Sequence, residues 1–274
     1  MEKKEKINIL IVSTGVFLIF AIGLFILIKP FFDKKNNSQI KSTKNSSHIE
    51  DLKRAKEITG EDLRKRILTE KNIIVIDIRE EVAYLQEHIP DSLSIPYLNI
   101  EQSVVSLDKA KTYVLVDDGS SFQAAYVAGG IFDANNFPNV FYLSGGFVAW
   151  KNKINLTVSA GDPTSFVDQS KVTYISSDDL KKNIETENNF FIMDVRDKNQ
   201  FEFGHIKNAS NIFLDNLEKE RMNIPRGKKI ILYDENGYAA FQAGVRLYDF
   251  GFFNTLVLSD GLKTWKEKGY EIVK

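Results

Sequence analysis

The sequence predicts an α/β protein with two similar domains in tandem, each a mostly parallel sheet flanked by helices, after an N-terminal transmembrane helix. Three observations lead to this prediction. One long stretch near the N-terminus carries no charge. In the remainder, short apolar runs alternate with polar, helix-like segments, which is typical of parallel sheets with helical crossovers. The same series of motifs then occurs twice in the same order, which indicates a duplicated unit.

The uncharged stretch runs from Ile7 to Ile28. At about 1.5 Å per residue, a helix of this length reaches ~33 Å and can cross a hydrocarbon core of ~30 Å. A cleaved signal peptide would have a shorter apolar region that ends in a small-x-small site, whereas this stretch is followed by KPFFDKK. We therefore predict that residues 1–32 form a cytoplasmic tail and an uncleaved transmembrane anchor, with residues 7–28 inside the membrane.

Lysine residues lie on both sides of the anchor, so charge counting does not determine its orientation. Long C-terminal domains are translocated largely regardless of their charge. We expect a single-pass membrane protein whose folded body is extracytoplasmic. Residues 33–57 are polar, rich in Asn, Ser and Lys, and without apolar periodicity, which predicts a flexible tether.

The composition excludes several classes of chemistry. The 274 residues contain no cysteine, which removes disulfides, thiolate metal ligands and thiol nucleophiles. The three histidines, His48, His88 and His205, are too scattered to predict a metal centre. The net charge is -1 and neither repeated unit is strongly basic, so no nucleic-acid partner is expected. The composition therefore predicts no metal and no cofactor.

Four pairs of matching segments define the repeated unit. ITGEDL pairs with ISSDDL, a helix start in which Thr or Ser precedes an acid by three residues. NIIVIDIRE pairs with NFFIMDVRD, a buried strand that ends in Asp-x-Arg. EHIPDSLSIP pairs with GHIKNASNIF, and LSGGFVAW pairs with LSDGLKTW. Asp77 to Asp117 and Asp194 to Asp234 are both separations of 40 residues, so the copies also share their spacing.

These matches place the first domain at residues 58–153 and the second at 172–274, with a linker at 154–171. The offset between equivalent residues is 117 in the first part of the repeat and 115 at Trp150 and Trp265. One copy therefore differs from the other by two residues between the acid-bearing turn and the tryptophan.

Each copy resembles a rhodanese (thiosulfate sulfurtransferase-like) domain. The resemblance rests on the strand ending in D-I-R or D-V-R, the H-I segment, the strand-loop-helix segment, and the closing S-G-G-F-x-x-W or S-D-G-L-x-x-W. In active members, as the resemblance implies, a cysteine ends the strand and opens a six-residue loop whose N–H groups point inward. That cysteine carries sulfur as a persulfide, and a basic residue five positions later often assists.

Both copies depart from this pattern at its centre. The cysteine position holds Asp117 in one copy and Asp234 in the other, and Phe122 and Ala239 stand five positions later. Because Asp cannot carry a persulfide, we expect neither copy to transfer sulfur, and we assign no catalytic residue. The loop residues that we single out are Asp117, Asp118, Gly119, Ser120, Ser121 and Phe122 in the first copy, and Asp234, Glu235, Asn236, Gly237, Tyr238 and Ala239 in the second.

The residues alone leave two interpretations open for the acids and for the aromatics. Asp is a favoured N-cap, so Asp117 and Asp234 are either helix-capping residues or fixed anions that occupy the inward N–H groups in place of a ligand. Phe122 and Tyr238 either anchor a protein partner or fold down to plug the pocket. For a partner, the nearby acids favour a basic polypeptide.

We expect the other polar residues of the repeat to be structural rather than catalytic. The Asp-x-Arg pairs tie a strand end to a neighbouring loop in this interpretation, and each isolated histidine makes structural hydrogen bonds. Adjacent acids at a turn diverge and are poor ligands for a divalent cation, which takes six or more oxygens. The residues in this structural group are Asp77, Arg79, His88, Asp194, Arg196 and His205.

The sequence therefore favours a membrane-anchored, non-catalytic module that binds or scaffolds an unknown protein partner. The alternative is an enzyme that uses Asp117 or Asp234 as a nucleophile or metal ligand. Phosphoryl-aspartate chemistry requires Mg²⁺ and a cationic clamp, and neither loop contains Lys or Arg.

Overall fold

A computed structural model describes residues 55–153, 155–186 and 189–274. Both copies of the repeat lie within one compact unit, Glu50–Lys274. The predicted anchor at residues 7–28 and most of the tether lie outside the described residues. No helix in the described ranges combines the length and the apolar character needed to cross a bilayer.

The first copy alternates strands and helices in the order that the sequence pattern predicts. Thr59 caps the first helix by accepting a hydrogen bond from the N–H of Asp62 at 3.2 Å, as the ITGEDL segment indicates. The strands are β1 Lys56–Ile58, β2 Ile73–Asp77, β3 Leu93–Ser94, β4 Thr112–Val116 and β5 Val140–Leu143. The helices are α1 Gly60–Thr69, α2 Glu81–Gln86, α3 Ile100–Ser103 between 3-10 turns at Tyr97–Asn99 and Val104–Ser106, α4 Gln123–Tyr126 with a π-helical continuation at Val127–Phe132, and α5 Gly146–Asn152.

The second copy repeats this order after a short helix in the connection, α6 Phe166–Gln169. Ser176 takes the capping role and accepts a hydrogen bond from the N–H of Asp179 at 3.2 Å. The strands are β6 Thr173–Ile175, β7 Phe190–Asp194, β8 His205–Ile206, β9 Ser210–Asn211, β10 Lys229–Tyr233, β11 Thr255–Leu258 and β12 Ile272–Val273. The helices are α7 Ser177–Thr186, α8 Lys198–Phe203, α9 Leu217–Glu220 between 3-10 turns at Leu214–Asn216 and Arg221–Asn223, α10 Tyr238–Asp249, and α11 Gly261–Glu267.

Each copy contains a five-stranded sheet with the same strand order. The order is β1-β5-β4-β2-β3 in the first copy and β6-β11-β10-β7-β9 in the second. Every pairing within these two sheets is parallel, which confirms the predicted tandem α/β architecture. Because the carboxyl ends of parallel strands share one edge of the sheet, the loops that follow β2, β4 and β5 meet at that edge.

The central strand of each sheet is buried on both faces. Along β4, Tyr113 and Leu115 pack into one hydrophobic cluster, and Val114 and Val116 pack into another. The residues of β10 divide between two clusters in the same way. This alternation follows the two-residue period of a strand, and burial on both faces explains the continuous apolar runs in the sequence. The acid-bearing turns start at the ends of these two strands and are therefore held in fixed positions.

The first copy continues into the segment that the sequence analysis assigned to the linker. The indole N–H of Trp150 donates to the carbonyl oxygen of Leu156 at 3.0 Å. In the second copy, the indole N–H of Trp265 donates to the carbonyl oxygen of Glu271 at 3.0 Å. Each tryptophan thus fastens the segment that follows its own helix.

A short antiparallel pairing follows at the same place in each copy. His88 pairs with Val158, and β8 pairs with β12 through His205 and Val273. Val158 and Val273 are 115 residues apart, which is also the offset between the two tryptophans. In both copies the segment that follows the tryptophan helix therefore pairs back onto its own domain, and residues 155–158 of the predicted linker do so in the first copy.

A charged cluster joins the connecting segment to the second copy. The ammonium of Lys171 lies 3.0 Å from a carboxylate oxygen of Asp168 and 3.0 Å from one of Asp249 on α10. Asp249 also accepts a hydrogen bond from the N–H of Ser159 at 3.0 Å. Burial alone would lower the pKa of Lys171, but its hydrogen bonds to Asp249 and Asp168 outweigh burial and raise it. The cluster is therefore held together by a fully charged lysine.

Candidate functional site

The loop after β4 closes around the carboxylate of Asp117, which is only 5% exposed. Its Oδ1 accepts a hydrogen bond from the N–H of Gly119 at 2.9 Å. Its Oδ2 accepts from the N–H of Ala124 at 3.2 Å and from the hydroxyl of Ser121 at 3.4 Å. The carbonyl oxygen of Asp117 accepts from the N–H of Phe147 at 2.8 Å, which fixes the loop to the start of α5.

Asp234 has a matching environment after β10 and is 6% exposed. Its Oδ1 accepts from the N–H groups of Gly237 at 2.7 Å and Ala240 at 3.3 Å, and its Oδ2 accepts from that of Ala239 at 3.2 Å. Its carbonyl oxygen accepts from the N–H of Leu262 at 2.8 Å, at the start of α11. A buried carboxylate is stable only when several donors replace its water shell, and the first turn of α10 supplies them.

The two hydrogen-bond sets show how the loops correspond. Ala124 and Ala239, which both donate to Oδ2, are 115 residues apart, whereas Asp117 and Asp234 are 117 apart. The first loop is therefore two residues longer, and the offset between the copies changes within it. For the same reason Phe122 and Ala239, which each stand five positions after the acid, are not structurally equivalent.

Neither acid is the N-cap residue of the helix that follows it, because that position is Phe122 for α4 and Gly237 for α10. The carboxylates instead reach across the loop and accept from N–H groups of the first turns of α4 and α10 and from the loop glycines. Hydrogen bonds to an ionised acceptor are about twice as strong as neutral ones. The donors that a small external anion would need are thus engaged by a side chain of the same chain.

Two glycines let the loops pack against the closing S-G-G and S-D-G segments. Gly119 has a φ of 92°, and a Cβ there would lie 2.1 Å from the carbonyl oxygen of Gly145. Gly237 has a φ of 90°, and a Cβ there would lie 2.8 Å from the carbonyl oxygen of Ser259. Backbone conformation and space both exclude a side chain at these positions. This contact explains why the closing motif accompanies the acid-bearing loop in both copies.

The second acid of each loop differs between the copies. Asp118 accepts hydrogen bonds from the N–H and the hydroxyl of Ser120 at 2.8 and 2.9 Å, and these bonds lower the pKa of Asp118. Glu235 instead forms ion pairs with Arg196 at 3.3 Å and with Lys266 at 2.9 Å. Neither loop contains a Lys or Arg of its own, and these two cations come from distant segments, so no local pattern indicates them.

The Asp-x-Arg pairs tie the strand ends to a neighbouring loop in both copies. Arg79 binds the carboxylate of Asp77 through two nitrogens, at 2.7 and 2.9 Å, and donates to the carbonyl oxygen of Glu87 at 2.7 Å. Arg196 binds Asp194 at 2.6 Å and a loop carbonyl at 2.8 Å. Burial alone would lower the pKa of Arg196, but the hydrogen bond to Asp194 outweighs burial and raises it. Both arginines therefore make structural contacts.

Each histidine stacks on the aromatic residue four positions before it. The ring centroids of His88 and Tyr84 are 3.9 Å apart, and those of His205 and Phe201 are 3.8 Å apart. Nδ1 of each histidine also lies close to the carbonyl oxygen of that aromatic residue, at 2.8 and 3.0 Å. His88 additionally contacts Glu218 of the second copy, an interdomain contact that its sequence context does not reveal.

The loop aromatics are exposed and do not plug a pocket. Phe122 is 73% exposed and Tyr238 is 54% exposed, whereas Phe241 on α10 is buried. Tyr238 borders a groove of about 260 Å³ between the two copies. The groove, which we call the interdomain groove, is also lined by Val82, Leu85, Gln86, Ala160, Gly161, Asp162, Pro163 and Gln242.

The charged groups of the second loop are engaged with one another and with the backbone. Both oxygens of Asp234 accept amide hydrogen bonds. The cations beside this loop are neutralised by Glu235. Within the described ranges, no three His, Asp or Glu side chains are placed to hold a metal ion together.

The sheet order, the loop at the end of the central strand and the closing glycine segment define one class of α/β domain, present twice. The family model for the rhodanese-like domain matches residues 59–153 and 176–268. The chain belongs to this family.

Individual relatives match parts of the chain. YqhL, an uncharacterized protein from Bacillus subtilis (strain 168), is 35% identical over 77 residues, which cover 28% of this chain and 61% of YqhL, or less than two thirds of that protein. The thiosulfate sulfurtransferase GlpE from Pseudomonas savastanoi pv. phaseolicola is 29% identical over 87 residues, which cover 31% of this chain and 77% of GlpE. A solved structure of thiosulfate sulfurtransferase from Pseudomonas aeruginosa is 17% identical with a TM-score of 0.42, covering 80% of this chain and 43% of that one.

Replacing either buried acid should destabilise its domain. We expect Asp117→Ala and Asp234→Ala each to cost about 0.5–2 kcal/mol, the usual range when a side chain that accepts from helix N-terminal amides is removed, because several amides lose their acceptor. The Asn variants should cost less, since one acceptor oxygen remains. Urea denaturation midpoints measure these differences. Asp118→Ala is the matched control, because that side chain is exposed and bonds only locally to Ser120. Unchanged midpoints for both buried-acid Ala variants would contradict the hydrogen-bonding role.

Sulfur transfer should be absent, and a single cysteine should not create it. We expect no thiosulfate:cyanide sulfurtransferase activity above the uncatalysed background, because the chain has no thiol. Asp234→Cys should restore little activity, since the adjacent Glu235 opposes thiolate formation. Adding Glu235→Gln should raise the activity, because it removes a negative charge beside the thiol and releases Lys266 from its ion pair. Each unit by which the thiol pKa falls gives about tenfold more thiolate. Full activity in the single variant would show that the loop had kept its anion-binding character.

Proposed function

We propose that this protein is a membrane-anchored, non-catalytic rhodanese-like module that binds a polypeptide partner. The observation that carries the proposal is the occupation of both anion-binding loops by buried carboxylates of the chain itself, Asp117 and Asp234. The name of GlpE describes a thiosulfate sulfurtransferase. That activity is not part of the proposal for this chain, because the thiol it requires is missing and its position is filled.

The partner is proposed to bind at the interdomain groove. Tyr238 is the first residue of α10 and is 54% exposed. Val82 and Leu85 on α2 are 68% and 46% exposed. Exposed aromatic and aliphatic side chains beside a concave surface are typical anchors of protein contacts. Both copies contribute to this groove, so its shape depends on the tandem arrangement.

The charge around the groove supports a basic partner. Asp162 lines the groove and is exposed, and Glu81, which is also exposed, directly precedes Val82 on α2. Carboxylates at the rim of an interface mainly steer association and select partners of opposite charge. We therefore infer that the bound segment carries Lys or Arg beside its apolar anchor.

The enzyme alternative is less well supported by this geometry. An aspartyl nucleophile needs a free carboxylate oxygen and a cationic clamp for the transferred group. The carboxylate oxygens of Asp234 accept amide hydrogen bonds, and Arg196 and Lys266 are paired with Glu235. A binding role needs neither free group.

Photocrosslinking in native membranes tests the docking face. A photoreactive residue in place of Tyr238 should capture one defined protein, and the adduct should decrease when Leu85→Ser removes part of the groove. High salt should weaken the capture, because rim charges are screened within about 10 Å at 0.1 M salt. Leu68, which is 79% exposed, is the control position and should give no such adduct. The photoreactive residue in place of Phe122 tests whether the first loop also contacts the partner. Adducts confined to the chain itself would refute a docking role.

Cysteine labelling tests the proposed membrane orientation. The chain has no cysteine, so a single Lys65→Cys variant carries one defined thiol on the exposed side of α1. A membrane-impermeant maleimide should label it in intact cells, because the folded body is proposed to be extracytoplasmic. Lys3→Cys in the N-terminal tail is the counterpart and should react only after permeabilisation. The reverse pattern would place the body in the cytoplasm.

A further inference from the structure

The imidazole of His88 is buried at the boundary between the two copies and is 1% exposed. Its Nδ1 lies 2.8 Å from the carbonyl oxygen of Tyr84, and its Nε2 lies 3.1 Å from Oε1 of Glu218. A carbonyl oxygen and an ionised carboxylate can only accept hydrogen bonds. Both ring nitrogens must therefore donate, which requires the doubly protonated, positively charged ring.

Glu218 links the same two segments through a second hydrogen bond. Its Oε2 accepts from the N–H of Asp91 at 2.8 Å. Burial alone would raise the pKa of Glu218, but the hydrogen bond and charge of His88, together with the Asp91 N–H, outweigh burial and lower it. Glu218 is therefore an ionised acceptor. An ion pair between Arg221 and the carboxylate of Asp91, at 2.8 Å, joins the segments a third time.

The second copy shows what the histidine does without an interdomain partner. His205 has the same stacking and the same Nδ1 contact as His88. Among the described residues, however, its Nε2 has no carboxylate within hydrogen-bonding distance, and the ring is only partly buried. The stacked histidine is therefore a feature of the domain, whereas the Nε2 contact with Glu218 belongs to the interface between the copies.

We propose that His88 and Glu218 form a proton-dependent latch between the two domains, closed while the imidazole carries both protons and loosened when one is removed. A neutral imidazole has a single N–H. If that proton stays on Nδ1, the lone pair of Nε2 faces the carboxylate of Glu218, and an attractive contact becomes repulsive. Raising the pH therefore opens the latch, and lowering it closes the latch.

The other ionisable groups around the latch do not reproduce this behaviour. Burial raises the pKa of Tyr84 to about 12, so that phenol stays neutral. Arg221 and Arg246 keep their charge at any physiological pH, and Asp91 is paired with Arg221. Asp215 and Lys219, which also face this region, are exposed to solvent. Imidazole is the side chain that normally changes charge between about pH 5 and 8.

The latch bears on the proposed function because it lies next to the interdomain groove. Tyr84, whose carbonyl oxygen binds His88, directly precedes Leu85, which lines that groove. Only one consequence of this inference, that pH regulates the binding of a partner at the groove, rests on the proposed function. The latch itself is a property of the two domains and can be measured without a partner.

Distance measurement between two spin labels tests the latch on the full chain in lipid nanodiscs. Because the chain has no cysteine, a variant with Lys65→Cys and Lys182→Cys carries spin labels at these two sites alone. The two residues are exposed and occupy equivalent positions on α1 and α7. We expect one narrow distance distribution near pH 6 and its reversible loss near pH 9, a range that brackets imidazole titration. A distribution that stays narrow and unshifted across this range would overturn the proposal.

Two variants separate the latch from a general effect of pH. Glu218→Gln should keep the narrow distribution near pH 9, because an amide can accept from the Asp91 N–H and donate to the neutral Nε2 of His88. His205→Gln should retain the response of the unaltered chain. A response that persists in Glu218→Gln, or that disappears in His205→Gln, would assign the pH dependence elsewhere. Failure to capture a partner at any pH would refute the docking proposal and leave these distances unaffected.

Discussion

A buried carboxylate that must be surrounded by backbone amides is the constraint on which each domain depends. Removing a carboxylate from water costs several kcal/mol unless other donors replace the lost hydration. Around Asp117 and Asp234 these donors are amides of the loop and of the following helix turn. The positive φ of Gly119 and Gly237 is what allows the loop to turn back on the acid. The same contacts that stabilise the loop also occupy the donors that a small anion would use, so local stability and the loss of an anion site have one cause.

The two copies distinguish what the fold requires from what each sequence adds. Both keep the buried acid, the stacked histidine, the arginine that fastens the strand end, and the tryptophan that holds the following segment. Even the strained turn is shared, since Asp91 and Asn208 have φ values of 63° and 66°. The copies differ where they meet each other or solvent. Only in the first copy does this turn carry a carboxylate, and that carboxylate pairs with Arg221 of the second copy.

The features that were predictable from the sequence are those set by local pattern. Apolar runs gave the strands, the capped helix starts gave α1 and α7, and the repeat gave the tandem arrangement and the acids at the loop. The features that were not predictable depend on contacts between distant residues. His88 and Glu218 are 130 residues apart, and no local pattern indicates that a structural histidine meets a carboxylate of the other copy. The cations beside Glu235 come from distant segments and were missed for the same reason.

The two filled loops also limit where any response of this protein could arise. When a loop binds and releases a charged ligand, its local charge changes, and this change can alter the structure of neighbouring segments. Here the anion is covalently part of the chain, and charge-assisted hydrogen bonds hold the loop around it. The contacts between the domains include charged groups whose state can change, at His88, Asp91 and Lys171. Because these contacts are polar and partly buried, their strength depends on protonation and on the exclusion of water. The shape of a groove built from both domains therefore depends on how the domains are arranged. A partner that binds this groove would bind differently when the contacts between the domains change.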